Sequence, residues 1–344
     1  MIALSFSFPH HGKYSSYHRL LAYLGESDEV VDASMPKFMY QRLLNPRGYT
    51  QRAWRALKER QAWSLAESGR HEWIHYLYPE HGYFRGRELN RRGMRIATSC
   101  HLPKDALEAG GERRRALKEG LSISDAMIVM SPDYVDYYQS FAPNARVAFI
   151  PHGIDVHYFQ PSKIGAGNGE DGVRRILTVG NMLRDFETLA KVVGLAADRG
   201  ANWRFEVVAL QDRLDALQQM VPEKGRNLLG LHCGISNEAL LSLYRESDLL
   251  YLPLLDATAN NAVVEAMACG LPMLLSDFPA TRAYAGDTAS YQQGRDAGEA
   301  YDRIAELVDD REAWLDASEK SRKRAVEELA WEAIAEKHRK FLEA

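Results

Sequence analysis

The stretch "DATANNAVVEAMACGLP", residues 256–272, places a small polar segment before an apolar one that holds a single acid, Glu265. It follows the apolar run "SDLLYLPL", which predicts a buried strand that ends near Leu254. "AVVEAMACG" contains helix-forming residues and closes with a glycine, so a helix is predicted from Asn261 to Gly270. The stretch therefore predicts a strand, a loop and a short helix with one carboxylate inside it.

The start of this helix is a candidate binding place. Ligands of open α/β sheets bind beyond the carboxyl ends of the strands, and the free N–H groups of a helix that begins there favour phosphate. A carboxylate repels phosphate but accepts hydrogen bonds from paired hydroxyl groups. One hypothesis is a diphosphate at the helix start and a ribose at Glu265. The alternative is a surface helix with one exposed glutamate.

The composition indicates an ordinary soluble protein. The 344 residues favour two domains, and 46% hydrophobic with 26% charged residues is typical of globular chains. No apolar run reaches 18 residues, so no membrane-spanning helix is expected. The start, "MIALSFSFPHHGK", predicts a buried strand and not a signal peptide. Three separated cysteines argue against a disulfide framework and for a cytoplasmic location.

Short apolar runs alternate with amphipathic stretches along the whole chain. Ten of these runs are typical of buried strands: "IALSFSF", "EWIHYLY", "MRIATSC", "AMIVMS", "VAFIP", "RILTVG", "FEVVAL", "NLLGLHCG", "DLLYLPL" and "LPMLLSD". The alternation predicts an α/β fold of two doubly wound, Rossmann-like domains. We expect a first domain over residues 1–150, a second over 151–320 and a helix over 321–344 that returns to the first domain. Residues 161–172 form the expected exposed connection.

Charge is distributed unevenly between the two halves. Residues 1–150 hold 21 Lys and Arg against 16 Asp and Glu, whereas the rest holds 22 against 31. The basic residues cluster in "RGYTQRAWRALKER", "FRGRELNRRGMR" and "RRRALK". These clusters are either solvated helix faces or a surface for an anionic acceptor or a peripheral membrane contact. No nucleic-acid partner is expected, because no nucleic-acid motif accompanies the charge.

Three further stretches carry candidate site residues. In "TVGNMLRDFETL", Gly180 and Asn181 follow a strand, and Arg184 is a cation for phosphate unless it pairs with Asp185 or Glu187. In "HHGKYSS", Gly12 allows a close backbone approach to a diphosphate. No metal site is expected there, because no carboxylate or cysteine completes the histidines. In "MRIATSCHLPKD", His101 follows a strand and is either a site residue or a plain loop histidine.

Four segments carry a resemblance to a known family. "ANNAVVEAMACGLPMLLSD", "FIPHGIDVHYFQP", "RILTVGNMLRDFETLAKVV" and "LHCGISNEALLSLYRESDLLYLPL" resemble, in wording and in order, segments of family 4, group 1 retaining glycosyltransferases of the GT-B fold. The resemblance covers nearly all of residues 146–290. It implies two Rossmann-like domains that face each other across a cleft, the first for the acceptor and the second for a nucleotide sugar.

The resemblance also implies roles for residues. It makes His101, Arg184 and Glu265 the catalytic residues. It assigns donor binding to Gly12, Gly180, Asn181, Arg184, Gly234, Ile235, Asp256, Thr258, Asn260, Asn261 and Glu265. The family has another glutamate eight positions before its helical glutamate, where this chain has Ala257. Either Asp256 replaces that glutamate or the contact with the donor sugar is absent.

The implied reaction moves a sugar from a UDP- or GDP-sugar to a hydroxyl of a sugar, glycolipid or other acceptor, with retention of anomeric configuration. It needs no cofactor and no metal. Two alternatives stay open: a sugar-nucleotide epimerase of the same fold, and a non-catalytic module that binds nucleotide sugars. The expected location is the cytoplasm, with a peripheral position at the inner membrane face as a further candidate.

Overall fold

The computed structural model describes residues 1–5, 14, 16–25, 28–34, 49–82, 93–109, 111–162 and 172–344. The connection expected over 161–172 lies mostly outside these residues, as does Gly12. The chain divides into two compact units, of which the first holds Met1–Gly153 with Trp331–Ala344 and the second Ile154–Ala330. None of the described helices combines the length and the hydropathy that crossing a bilayer requires.

Six described strands form the sheet of the first unit. All pair in parallel, in the order β2-β1-β3-β4-β5-β6. The strands are β1 Ile2–Ser5, β2 Glu29–Asp32, β3 Trp73–Tyr76, β4 Arg95–Cys100, β5 Ala126–Val129 and β6 Arg146–Phe149. Between them lie a 3-10 helix, Tyr17–Tyr23, and the helices α1 Tyr49–Ala66, α2 Pro79–Gly82, α3 Lys104–Glu108, α4 Glu112–Leu121 and α5 Val135–Phe141.

The second unit repeats this architecture with a different strand order. Its described strands all pair in parallel, in the order β12-β11-β10-β7-β8-β9. They are β7 Arg174–Val179, β8 Trp203–Val208, β9 Leu229–His232, β10 Leu249–Leu252, β11 Met273–Ser276 and β12 Ser290–Gln292. The helices are α6 Phe186–Asp198, α7 Gln211–Met220, α8 Asn237–Glu246, α9 Asn261–Cys269, α10 Pro279–Ala285, α11 Ala297–Asp309 and α12 Arg311–Arg324. The predicted α/β fold of two doubly wound sheets is confirmed.

The C-terminal region is not one continuous helix. After α12 the chain makes a π-helical turn at Ala325–Leu329 and becomes extended at Ala330, where φ is -56° and ψ is 143°. The last helix, α13 Trp331–Glu343, then belongs to the first unit. Its buried residues recur at helical spacing: Trp331, Ile334, Ala335, His338 and Leu342. This stripe packs the helix onto the rest of the first unit.

Candidate active site

The strand order of the second unit reverses between β7 and β10, which are neighbours in the sheet. In open α/β sheets such a switch point leaves a crevice at the carboxyl edge, where ligands bind. The two segments that leave these strands are bonded to each other: Asp185 N–H donates to Pro253 O at 2.9 Å and Leu255 N–H to Leu183 O at 2.9 Å. Leu183 takes a left-handed φ of 58° to make this pairing. The switch point is therefore lined by residues 180–185 and 253–261.

Arg184 is held at this edge by three neutral acceptors. Nε donates to Val179 O at 2.8 Å, Nη1 to Met182 O at 3.0 Å and Nη2 to the side-chain oxygen of Asn260 at 3.1 Å. Burial lowers the pKa of the Arg184 guanidinium to about 10, so the group stays charged at neutral pH. Tyr244 and Glu265 act in the opposite direction and raise the pKa of Arg184 through their charges.

The alternative of a surface ion pair for Arg184 is wrong. Both acids that could have formed it bind Arg295 instead, Asp185 through two hydrogen bonds and Glu187 through one at 3.0 Å. Asp185 also caps α6 by accepting from Thr188 N–H at 3.1 Å. Arg295 therefore fixes the loop beside Arg184 and binds the two acids that are its neighbours in sequence.

Gly180 is required for this position of Arg184. Its φ is 111°, and a Cβ built on it would lie 2.4 Å from Nη2 of Arg184. A side chain at residue 180 would displace the guanidinium.

The helix α9 begins and ends as the sequence predicts. Asn260 is its N-cap residue, since its side-chain oxygen accepts from Ala262 N–H at 3.2 Å, and Gly270 ends it with a φ of 66°. Asn261, the first helical residue, is exposed. Because Asn260 also accepts from Arg184, the helix start and the guanidinium are joined by one side chain.

Glu265 is more deeply buried than a surface glutamate. It is 3% exposed, and its Oε2 accepts a hydrogen bond of 2.7 Å from the phenol of Tyr244 on α8. Burial raises the pKa of the Tyr244 phenol well above its ordinary value, and the Glu265 carboxylate raises it further. The phenol therefore keeps its proton, and Tyr244 is the donor. The alternative of an exposed surface glutamate is wrong.

The remaining donor-site candidates lie on loops at the same edge. Asn181 accepts from Leu210 N–H with its side chain, which joins the loops after β7 and β8. Gly234, with a φ of 63°, and Ile235 follow β9. Asp256 is half-buried and accepts from Ala257 N–H at 2.7 Å. Thr258 is half-buried beside them.

In the first unit, His101 follows β4 and is half-buried. Its Nε2 lies 2.9 Å from Leu77 O. A carbonyl only accepts, so this nitrogen carries the proton. Burial lowers the pKa of the imidazole to about 4, which leaves Nδ1 as a bare acceptor at neutral pH. The ring is stacked on Tyr78 at 4.7 Å and meets the ring edge of Tyr17 at 4.6 Å.

Sequence reasoning missed three of these side chains: Tyr244, Tyr17 and Tyr78. Each lies in a segment read only as a helix or a strand end. Their partners, Glu265 and His101, are 21 to 84 residues away along the chain. The only available signal was the placement of a tyrosine on the inward face of a predicted element.

Known structures resemble the whole chain. Sucrose-phosphate synthase from Thermosynechococcus elongatus matches with a TM-score of 0.75 at 18% identity, over 99% of this chain and 98% of that one. Anabaena HepE in complex with UDP matches with a TM-score of 0.75 at 13% identity, over 99% of both chains. These likenesses and the two parallel sheets define the class of protein: the chain has the GT-B fold.

Two sequence comparisons each match part of the chain. The family described as "Glycosyl transferases group 1" matches residues 173–310, which lie within the second unit. The MMP alpha-(1->4)-mannosyltransferase of Mycolicibacterium hassiacum is 23% identical over 219 residues, which are 62% of this chain and 52% of that protein. The match spans about half the length of that curated relative.

Proposed function

We propose that the protein is a metal-independent, retaining glycosyltransferase that moves a sugar from a nucleotide-diphosphate sugar to a hydroxyl acceptor. The observation that carries this proposal is the state of Arg184. It is a charged guanidinium at the strand switch point, held by three neutral acceptors and adjacent to the start of α9. The group 1 family match over residues 173–310 supports it.

The chemistry assigns each group a task. Negative charge grows on the departing diphosphate, and a cation and helix N–H groups that are already in place stabilise it without reorganisation. Arg184 and the N-terminus of α9 serve this purpose, while the carboxylate of Glu265 accepts hydrogen bonds from the ribose hydroxyls. UDP is the first nucleotide to test, because the HepE structure contains it; GDP is the second.

In the proposed retaining reaction, the bond from the anomeric carbon to the phosphate oxygen breaks and the bond to the acceptor oxygen forms on the same face of the sugar. The acceptor's proton passes to the departing phosphate. His101 is proposed to position the sugar or the acceptor hydroxyl through its bare Nδ1, which needs no protonation change during the reaction.

The test begins with a panel of nucleotides and nucleotide sugars in thermal-shift assays, because a ligand that binds the folded state raises Tm. The best donor is then incubated with hydroxyl acceptors, and nucleotide release and glycoside formation are measured together. We expect them to rise in equal amounts, with the donor's anomeric configuration in the product by NMR. Interconversion of two sugar nucleotides without release would indicate the epimerase, and binding without turnover the non-catalytic module.

An anionic or lipid-linked acceptor is a narrower proposal. It rests on the excess of basic residues in residues 1–150. Not every one of them is available, since Arg55 is only 7% exposed, whereas Arg60 and Arg115 are exposed. Cosedimentation with anionic vesicles should exceed that with neutral vesicles and fall as salt rises, because screening shortens the reach of the charges. Equal cosedimentation with both would leave only a solvated surface.

A further inference from the structure

The ring of Tyr17 is one wall of the space that holds His101. Tyr17 is 2% exposed, and its ring edge meets the imidazole at an interplanar angle of 79°. On the other side Tyr78 is stacked at 26°. The two walls are also linked, because the backbone of Tyr17 and His18 hydrogen bonds to the Tyr78 phenol. The imidazole of His101 can therefore turn only if Tyr17 moves.

The hydroxyl of Tyr17 is anchored on two other elements. It lies 3.0 Å from Ser99 Oγ at the end of β4 and 3.0 Å from His338 Nε2 on α13. Ser99 Oγ lies in turn 2.8 Å from His75 Nε2 on β3. A buried chain of four groups thus runs from β3 through Ser99 and Tyr17 to the last helix.

The number of available protons requires one histidine of this hydrogen-bonded chain to be a donor and the other to be an acceptor. Its three hydrogen bonds need three donated protons, and the hydroxyls of Ser99 and Tyr17 supply two. Both histidines are neutral, because burial holds their pKa values far below the ordinary one. One of them must therefore donate through Nε2 while the other accepts. Removal of the Tyr17 hydroxyl would therefore leave at least one buried group of this hydrogen-bonded chain unpaired.

We propose that Tyr17 is a positioning residue for sugar transfer: its ring fixes the orientation of His101, and its hydroxyl fixes that ring between Ser99 and the last helix. The inference rests on the proposed function of His101. Because His338 on α13 bonds to the Tyr17 hydroxyl, the packing of α13 also helps to hold the His101 imidazole in place. No residue of α13 needs to contact a substrate for this.

The kinetic test compares Tyr17→Leu, which removes the ring, with Tyr17→Phe, which removes only the hydroxyl. We expect Tyr17→Leu to lower kcat roughly a hundredfold, the effect of misplacing a positioned group by about 1 Å. Tyr17→Phe should lower kcat several-fold, and KM for the nucleotide sugar should change little in both. Tyr134→Phe, at another buried tyrosine of the first unit, is the matched control and should keep the wild-type rate. A wild-type kcat in Tyr17→Phe would overturn the proposal even if Tyr17→Leu does not fold.

A second measurement does not depend on activity. Imidazole nitrogen NMR of the folded protein should show His101 with its proton on Nε2, and the signal is assigned by its loss in His101→Ala. Among the described residues, the titratable groups near the ring include Tyr17 and Tyr78 in contact, with His75 and His338 beyond. In Tyr17→Leu, solvent reaches the ring, so a mixture of tautomers and a higher titration midpoint are expected. An unchanged His101 signal in folded Tyr17→Leu would refute the positioning role.

The two proposals fail in different ways. If His101→Ala transfers sugar at the wild-type rate, the proposed function of His101 is wrong, while NMR still decides whether Tyr17 holds its ring. If His101→Ala is slow and Tyr17→Leu is not, the positioning role is wrong. If both proposals hold, the double variant is no slower than His101→Ala alone, because the two residues act as a unit.

Discussion

The side-chain oxygen of Asn260 lies 3.1 Å from Nη2 of Arg184 and 3.2 Å from the backbone nitrogen of Ala262. One amide oxygen therefore caps the helix α9 and holds the guanidinium at the strand switch point. The two groups proposed to bind a diphosphate, a cation and a helix N-terminus, are thereby fixed relative to each other before a ligand arrives.

Asn260→Asp tests this arrangement. Aspartate caps helices as well as asparagine does, so stability should not fall. Its carboxylate would pair with Arg184 and repel a diphosphate, so nucleotide affinity should drop about tenfold or more, at about 1.4 kcal/mol per factor of ten. Asn260→Ser keeps a neutral capping oxygen but removes the amide that holds Arg184, so it should lose less affinity than Asn260→Asp. Calorimetry that gave Asn260→Asp the wild-type affinity would contradict the proposed diphosphate position.

Arg184→Ala should lower turnover more than it weakens donor binding, because the charge matters most as the diphosphate leaves. Losing one donor of this kind costs roughly a hundredfold to a thousandfold in rate. Arg303, an exposed arginine on α11 of the same unit, gives the matched control Arg303→Ala, which should keep the wild-type rate. Steady-state rates within a few-fold of wild type for Arg184→Ala would remove it from the mechanism.

Glu265→Ala should weaken nucleotide binding, because it removes the proposed acceptors for the ribose hydroxyls. Hydrogen bonds to a charged group are each worth about 1.5–3 kcal/mol. Tyr244→Phe separates this role from packing, since it keeps the carboxylate and removes only the 2.7 Å bond to it. We expect a smaller loss of affinity in Tyr244→Phe than in Glu265→Ala by calorimetry. Equal affinities of Glu265→Ala and wild type would refute ribose binding.

The fold was largely predictable from apolar runs. All ten predicted strands are present, because strands buried on both faces are continuously apolar. The two described strands that were missed, β2 and β12, are the outer strands of their sheets, and their sequences "EVVD" and "SYQ" are short and partly polar. The long C-terminal helical pattern hid the break near Ala330, since "AVEELAWEAI" contains neither glycine nor proline.

The candidate site was predictable only in part. The rule that ligand loops lie at the carboxyl ends of parallel strands placed the loops of Arg184 and Asn261 at one edge, and these loops are bonded there. The same rule could not show that Asp185 pairs with Arg295, 110 residues away, and not with its neighbour Arg184. Contacts of that range depend on the packed fold and not on local pattern.

The packing of the last helix gives a stability prediction. A Cβ at residue 153 would lie 2.4 Å from Cε3 of Trp331, so Gly153→Ala should push the start of α13 off the first unit. Overpacking of this kind costs about 1–3 kcal/mol, measurable as a lower midpoint in urea unfolding. Trp331→Leu should make room for the added methyl. The double variant should therefore lose less unfolding free energy than the two single variants lose together. Strict additivity would contradict the proposed clash.

Acid should destabilise the first unit through its buried histidines. Burial lowers the pKa of His75 to about 3 and of His101 to about 4, and that of His338 well below 6.5. The folded state keeps them neutral, while the unfolded chain binds protons below its ordinary pKa of about 6.5. The contribution of these neutral histidines to the free energy of unfolding is therefore fully present above pH 6.5 and is lost as the pH falls toward 4.

Tm measured by calorimetry should accordingly fall between pH 6.5 and 4.5, a window in which most carboxylates remain charged. His338→Gln keeps a hydrogen-bonding side chain toward Tyr17 but cannot titrate, so its Tm should fall less steeply over this window than that of the wild type. His157→Gln, at an exposed histidine, is the matched control and should keep the wild-type slope. If His338→Gln and the wild type lose Tm in parallel, His338 binds its proton as readily in the folded state as in the unfolded state, and the acid sensitivity arises from other groups.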